Sequence, residues 1–281
     1  MFPLDFLEDL ILDIRFQSLI GLFFLIRWAW RSPGPRREAN NKAVFITGCD
    51  SGMGHRMARR FDEMGMQVFA GCLQPAGKGA LGLKRVCSDR LHIVPIDITN
   101  DQQVREAVTY VEANLPPGEK GRIVTITSIL ARLVYPGVSV YAATKHGLNG
   151  FFSALRYEMQ EKGIHLATVE PGDFSTTTDI MQWTQRHLEE IWNNMSPEKQ
   201  KSKLHLFEKT KRKVTKTKCS EAEQERNYKF LLQDVEDAML AEKPHWRYVS
   251  ASPATKVALW VLRSLPESWT FKLMGEKKLA N

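Results

Sequence analysis

The sequence predicts an α/β fold built on a doubly wound parallel sheet, on three observations. Short apolar runs rich in β-branched residues recur along the chain, at 43-AVFIT-47, 67-QVFAGC-72, 91-LHIVPIDI-98, 122-RIVTITS-128 and 164-IHLATVEPG-172. Several of the intervening segments carry apolar residues at helical spacing. A glycine turn, 48-GCDSGMG-54, separates the first run from the first such segment. Strands buried on both faces read as continuous apolar runs, and strands alternating with helices make a parallel sheet covered on both sides. A length of 281 residues suits one large domain with terminal additions, and the ordinary composition excludes fibres and disorder.

From the N-terminus, residues 11–30 read ILDIRFQSLIGLFFLIRWAW, an apolar centre with Asp13, Arg15 and Arg27 in or beside it. A full span needs about 20 mostly apolar residues. The segment is therefore a borderline anchor, spanning or interfacial, with a helix packed on the protein itself as the other reading. The two arginines can snorkel and Trp28 and Trp30 suit an interface. Asp5, Glu8 and Asp9 argue against a signal or transit peptide. Residues 1–31 are thus the anchor candidate and 32–41, SPGPRREANN, a linker.

The regular domain, 42–180, opens with the first strand and the glycine turn. Met57, Ala58, Phe61 and Met64 then fall on one helix face, and Gly65 ends that helix. After the third strand, Thr99 or Asn100 caps a helix over 101–115 that shows Val104, Val108, Val111 and Leu115 as a stripe. The breaker 116-PPGEKG-121 precedes the next strand. A long helix over about 139–162 ends at Gly163, and the last run, 164–172, follows.

The formal charge of +7 is local. Between residues 199 and 218 nine Lys or Arg face Glu208 alone, which leaves the rest of the chain at −1. Such a run is a solvated face or an anionic-membrane contact. Nucleic acid is disfavoured because Phe207 is the one aromatic interleaved with it. Cys49, Cys72, Cys87 and Cys219 lack the spacing of a zinc site or a disulfide framework, so they read as reduced thiols of a cytosol-facing domain, with no metal expected.

Two motifs carry chemistry. In Thr47-Gly48-x-x-x-Gly52-x-Gly54, glycines between a strand and a helix let backbone N–H groups and a helix N-terminus approach a pyrophosphate. The spacing differs from G-x-G-x-x-G, and an ordinary tight turn is the plain alternative. In Tyr141-x-x-x-Lys145, both side chains share a helix face. A phenol with a pKa near 10 is a weak base at neutral pH, and a neighbouring ammonium stabilises its phenolate. Ser128, at the end of a buried strand, stands where open α/β sheets place their chemistry and can orient a substrate oxygen. Taken singly, the three would be a half-buried aromatic, a solvated charge and a strand-end cap. Together with a glycine turn at the same end of the sheet, they read as a site.

The combination of T-G-x-x-x-G-x-G, Ser128 and Tyr141-x-x-x-Lys145 resembles the short-chain dehydrogenase/reductase family. The stretches 47-TGCDSGMG-54, 69-FAGCL-73, 88-SDRL-91, 156-RYEM-159 and 169-VEPGDF-174 look like its membrane-associated branch of retinol, 17β-hydroxysteroid and 3-hydroxybutyrate dehydrogenases. The likeness covers roughly residues 40–180. It implies a Rossmann-like fold and a catalytic set of Ser128, Tyr141 and Lys145. It places Thr47, Gly48, Ser51, Gly52, Met53 and Gly54 at the cofactor pyrophosphate and Asp97 and Ile98 by the adenine. Tyr141 and Lys145 would meet the nicotinamide ribose, with Pro171 and Gly172 beside the cofactor. NAD is favoured because no Arg or Lys occupies Cys72-Leu73-Gln74, and NADP stays open. The branch implies membrane association, at the endoplasmic reticulum with the domain facing the cytosol or, alternatively, at the mitochondrial inner membrane.

The chain departs from the family between Asp97 and Ser128. Members hold there a strand with Asn-Asn-Ala-Gly and a long helix with a catalytic Asn, whereas here only 31 positions separate the two residues. A block of about 50 residues, one strand, one helix and their loops, is missing. The expectation is a sheet lacking one central strand and its following helix, with two open strand edges, an uncovered apolar face and weak or absent activity.

Residues 181–281 would form a substrate lid, at 181–230, and a C-terminal helical region. Trp183, Leu188, Ile191, Trp192 and Met195 recur at helical spacing, either lining an apolar pocket or simply packed. The apolar stretch 257–274 is interrupted by Pro266. These features suit a small lipophilic alcohol or ketone, of steroid or retinoid type, over 3-hydroxybutyrate. The alternative is a non-catalytic truncated isoform that acts as a binding or dimerisation partner through its surviving helices, including as a homodimer.

Overall fold

A computed structural model of the chain describes residues 18, 21–22, 35–116, 121–134, 136–215 and 219–273. Most of the anchor candidate and the head of the linker lie outside them. Ser18, Gly21 and Leu22 are helical, and a Cβ at Gly21 would strike the ring of Trp260, so backbone meets indole there. No helix among the described residues is long and apolar enough to cross a membrane.

The first half is a strand–helix alternation: β1 (Ala43–Thr47), α1 (Gly52–Glu63), β2 (Gln67–Cys72), α2 (Lys78–Val86), β3 (Leu91–Pro95) and α3 (Asp101–Asn114). All three strands are parallel, in the order β1-β2-β3, with Ala43 opposite Gln67 and Val68 opposite Leu91. Gly65, at φ +85°, turns the chain out of α1 as its lack of a Cβ permits. Asn100 caps α3 by accepting from the Gln102 and Gln103 amides at 3.0 and 3.2 Å.

The second half holds β4 (Arg122–Ile126), a 3₁₀ turn (Ile129–Ala131), α4 (Ser139–Gln160), β5 (His165–Pro171), α5 (Ile180–Asn193), α6 (Pro197–Val214), α7 (Glu221–Leu240), β6 (Arg247–Ser250), α8 (Pro253–Ser264) and α9 (Glu267–Phe271). Its strands form a second parallel sheet in the order β4-β5-β6.

Among the described residues no ladder joins β1 to β4, so each is an edge strand. This is the expected missing central strand, observed as two half-sheets. They are held together on one face by α7, whose Tyr228, Leu231, Val235 and Ala238 share a core with Val44 and Ile46 of β1, Phe61 of α1 and Val169 of β5. Polar contacts reinforce the bridge. Arg60 Nε of α1 donates to Glu236 Oε1 at 2.6 Å, and Arg122 of β4 donates to the carbonyls of Ala238 and Ala241 at 3.1 and 2.7 Å.

The opposite face is covered only at its ends. There α3 closes a small core of Phe69, Val94, Ile96 and Ala107, and α4 lies over β5. Between them the β1 residue that alternates to this side, Phe45, is 39% exposed, and Ile123 of β4 is 38% exposed. Val140, Phe151 and Tyr157 of α4 are also exposed. In a parallel sheet both faces are normally covered. The uncovered strip lies where the absent helix would run.

Two expectations are corrected. The third strand ends at Pro95 rather than 98, because Asp97 turns to accept from Thr99. The fourth ends at Ile126 rather than 128, because Ser128 caps the 3₁₀ turn. The stretch 181–230 runs into the first half of α7, where Tyr228 joins the shared core while most other residues are exposed.

Candidate functional site

The glycine turn leaves the carboxyl end of β1. Gly48 (φ +73°) and Gly52 (φ +61°) adopt left-handed backbone that side chains disfavour, and a Cβ on Gly48 would meet open space. Gly54 differs: a Cβ there would collide with the Gly48 carbonyl, so the first turn of α1 is packed directly on the loop. The N-cap Ser51 makes no side-chain cap bond and no acid sits in the first turn of α1. Helix-start amides and the positive dipole end are therefore available to an anion. Met53 lies within this cradle in sequence, and Thr47 precedes it.

Asp50, between the glycines, does something the sequence reading missed. Its Oδ2 and Oδ1 accept from the Leu73 and Gln74 amides, each at 2.8 Å, and this ties the glycine turn to the turn after β2. Asp97 and Ile98 follow β3. Bonds from the Thr99 hydroxyl and then its amide hold the Asp97 carboxyl below the usual carboxylate range, and Ile98 is exposed.

Across the gap, Ser128 follows β4 and is buried. Its Oγ accepts from the Leu130 amide at 3.1 Å, and its own hydroxyl hydrogen is not used in that bond. Tyr141 lies in the first turn of α4 and Lys145 one turn on. The Lys145 ammonium sits 5.5 Å from the centre of the Tyr141 ring, and burial pushes its pKa down. Tyr141 is exposed, and among the described residues its hydroxyl makes no hydrogen bond. Pro171 ends β5, and Gly172 donates to the Ser250 carbonyl at 3.0 Å.

Both halves open at the same end. A Cβ on Gly52 would lie 3.7 Å from Thr178, in the loop that follows Gly172. The carboxyl ends of β1, β4 and β5 thus converge where the winding of the two half-sheets reverses, which is where open α/β sheets bind ligands. A large cavity lies elsewhere, on the α7 side. It is lined by Arg36, Glu170, Arg247 and Trp260 and by none of Ser128, Tyr141, Lys145 or the glycine turn.

Behind the Ser–Tyr–Lys set lies a second missed group. Glu170 is fully buried and Arg132 Nε is 2.8 Å from each of its oxygens, in line with Oε1 only. Asn149, one turn beyond Lys145, donates to Glu170 Oε1 at 3.3 Å and to the Ala131 carbonyl at 3.4 Å. Arg247 Nε of β6 reaches Glu170 at 3.3 Å. The cluster connects the segment after Ser128, the Tyr–Lys helix and the strand end before Pro171. The spacing of Asn149 from Lys145 was the available signal. Of the lid aromatics, Trp192 stacks on Phe207 at 4.1 Å, whereas Trp183 and Ile191 are exposed.

A doubly wound sheet with a glycine turn on its first strand and a Tyr-x-x-x-Lys helix beyond its switch point defines a dinucleotide-dependent dehydrogenase. The family model described as short chain dehydrogenase matches residues 42–117 and 113–187, and the chain belongs to that family. The two matched stretches meet beside the junction where the block is missing. The mouse (Mus musculus) 17-beta-hydroxysteroid dehydrogenase type 6 is 29% identical over 306 aligned positions, covering 89% of this chain and 93% of the relative. That stretch is longer than the 281-residue chain, so positions of the relative face gaps here. Human (Homo sapiens) retinol dehydrogenase 5 is 31% identical over 230 positions, 64% of this chain and 71% of the relative. A short chain dehydrogenase/reductase from Burkholderia phymatum in complex with NAD superposes with a TM-score of 0.58 over 79% of this chain and 93% of its own, at 16% identity, a likeness of fold alone.

Proposed function

We propose that the chain is an NAD-linked oxidoreductase of lipophilic secondary or allylic alcohols and their ketones, of steroid or retinoid type, whose turnover is held low by its missing strand and helix. The observations that support this reading are the glycine turn and Ser128 at carboxyl ends of parallel strands, the approach of Gly52 to Thr178 across the two half-sheets, and the Lys145 ammonium beside the Tyr141 ring. A bound nicotinamide supplies or accepts the hydride. Tyr141 exchanges the proton with the substrate oxygen, Lys145 favours the phenolate by its charge, and Ser128 donates a hydrogen bond that orients that oxygen. The pyrophosphate end of the cradle fits a dinucleotide, with open Cβ space at Gly48 and an uncapped helix start. The Asp50 carboxylate at the Leu73 and Gln74 amides favours NAD over NADP, because it sets a negative charge beside the turn where a 2′-phosphate would come. Names of relatives that act on a hydroxysteroid and on retinol support the substrate class.

The low turnover follows from geometry. With no strand between β1 and β4, the backbone that would separate and align the two halves of the site is absent, and catalysis is sensitive to misplacement on the ångström scale. The exposed Phe45 and Ile123 support the second reading, a non-catalytic partner that covers this strip in a homodimer or with a longer subunit. The apolar 11–30 segment supports action at a membrane surface, the endoplasmic reticulum with the domain facing the cytosol, or alternatively the mitochondrial inner membrane.

Thermal unfolding with NAD(H) tests the cofactor site. At about 100 times its dissociation constant, NADH stabilises the chain by about 2.7 kcal/mol. Lys145→Met should lose most of this shift while unfolding in buffer no earlier than the parent, since it removes a charge that burial disfavours. A chain with no shift for either cofactor, yet a cooperative transition, supports the non-catalytic reading instead.

A further inference from the structure

We propose that the outward face of α6 docks on anionic lipid headgroups, which makes the lid hairpin α5–α6 a membrane contact separate from the N-terminal segment. This rests on the membrane reading above and assigns it a surface. The inward stripe of α6 is fixed by contacts with α5: Gln200 Nε2 donates to the Trp192 carbonyl at 2.8 Å, Phe207 stacks on Trp192, and Lys211 Nζ pairs with Glu189 at 3.0 Å. The rest of the helix carries Lys199, Lys201, Lys203, Arg212 and Lys213, all exposed and none in an ion pair among the described residues. No residue of α6 is buried.

Such a face is costly to a helix on its own, because Lys199 and Lys203, or Lys209 and Lys213, are like charges one turn apart. A polyanionic surface removes that repulsion. An apolar side chain accompanies the cations. Leu206, 58% exposed, lies among them. Cations around an exposed leucine suit a headgroup boundary, where an apolar group enters the acyl edge and ammonium groups meet phosphates. Nucleic acid is the less favoured partner, since Phe207, the aromatic within α6, is taken up by Trp192 and cannot stack a base. The charge is also concentrated here, against −1 for the chain outside residues 199–218.

The test is sedimentation of the full chain with vesicles of phosphatidylcholine alone or with about 30% phosphatidylserine, beside the variant K199Q/K201Q/K203Q/R212Q/K213Q. The parent should partition at least about ten-fold more strongly onto the phosphatidylserine vesicles at about 0.1 M salt, with the preference fading at about 0.5 M. The variant should bind both vesicles alike, with an unfolding temperature no lower than the parent's and an unchanged NADH response. A parent without headgroup preference, or a variant that keeps it, overturns the proposal. Equal binding of both proteins to both vesicles would do so while leaving the N-terminal segment as the membrane contact. Tighter salt-sensitive binding of the parent to duplex DNA than to phosphatidylserine, lost in the variant, would also overturn it.

Discussion

Replacing Glu170 by alanine should destabilise the fold by about 3–5 kcal/mol, the range for removing one partner of a buried ion pair. The carboxylate is fully buried on β5 and stands between Arg132 and Arg247. Burial pushes the Arg247 pKa down, and the Arg132 charge pushes it further in the same direction. Glu170 is the group that offsets this. Without it, two guanidinium groups face each other, and Asn149 loses an acceptor. Arg247 is about a third exposed and contributes less than Arg132 to the loss. Urea unfolding of Glu170→Ala and Glu170→Gln measures the effect, with the glutamine smaller because it keeps the shape and one acceptor. If the alanine variant does not fold, Glu170→Met with Arg132→Met is the informative pair. Removing both charges should recover more than about 1 kcal/mol relative to Glu170→Met alone. Additive losses would mean that the pair is not coupled.

The second large effect is at Gly54. Its Cβ would overlap the Gly48 carbonyl, which is backbone and cannot turn aside. Gly54→Ala therefore pushes the first turn of α1 off the glycine loop, with a loss of about 1–3 kcal/mol, as for other overpacked sites. The NADH shift should vanish with it if, as proposed, the amides of that turn hold the pyrophosphate. Gly48→Ala is the control. Its Cβ meets open space, so the cost is the left-handed backbone alone, about 1–2 kcal/mol. Thermal unfolding of both variants with and without NADH decides the order. Equal behaviour of the two would show that close packing at Gly54 is not what shapes the turn.

The local signals of the sequence carried most of the first half. Apolar runs, Gly65 and Asn100 set the elements there, as Gly163 does after α4, because each acts within a few residues. Strand ends were overrun where a side chain takes the backbone out of the ladder, as Asp97 and Ser128 do. Helix α2 escaped notice because only Ala80 and Leu83 of its nine residues are buried, and β6 because it is four residues long. Helix α7 looks polar, yet it holds the half-sheets together through one stripe. The missing strand was visible only through family resemblance, since periodicity describes the residues that are present. At the site, Ser128, Tyr141 and Lys145 came from motif spacing. Glu170 and Arg132 are 38 positions apart, and only the fold brings them together.

The most direct test of the missing-strand proposal is NAD-linked turnover of a lipophilic secondary alcohol by two proteins side by side. One is this chain, and the other is the same chain with the strand–helix block of the mouse hydroxysteroid relative inserted at residues 116–121. The restored protein should be faster by at least about 100-fold, the lower range for a well-positioned acid–base group. Equal turnover of the two, at the rate of the relative, would contradict the proposal and show that the two half-sheets hold a working site without the strand between them.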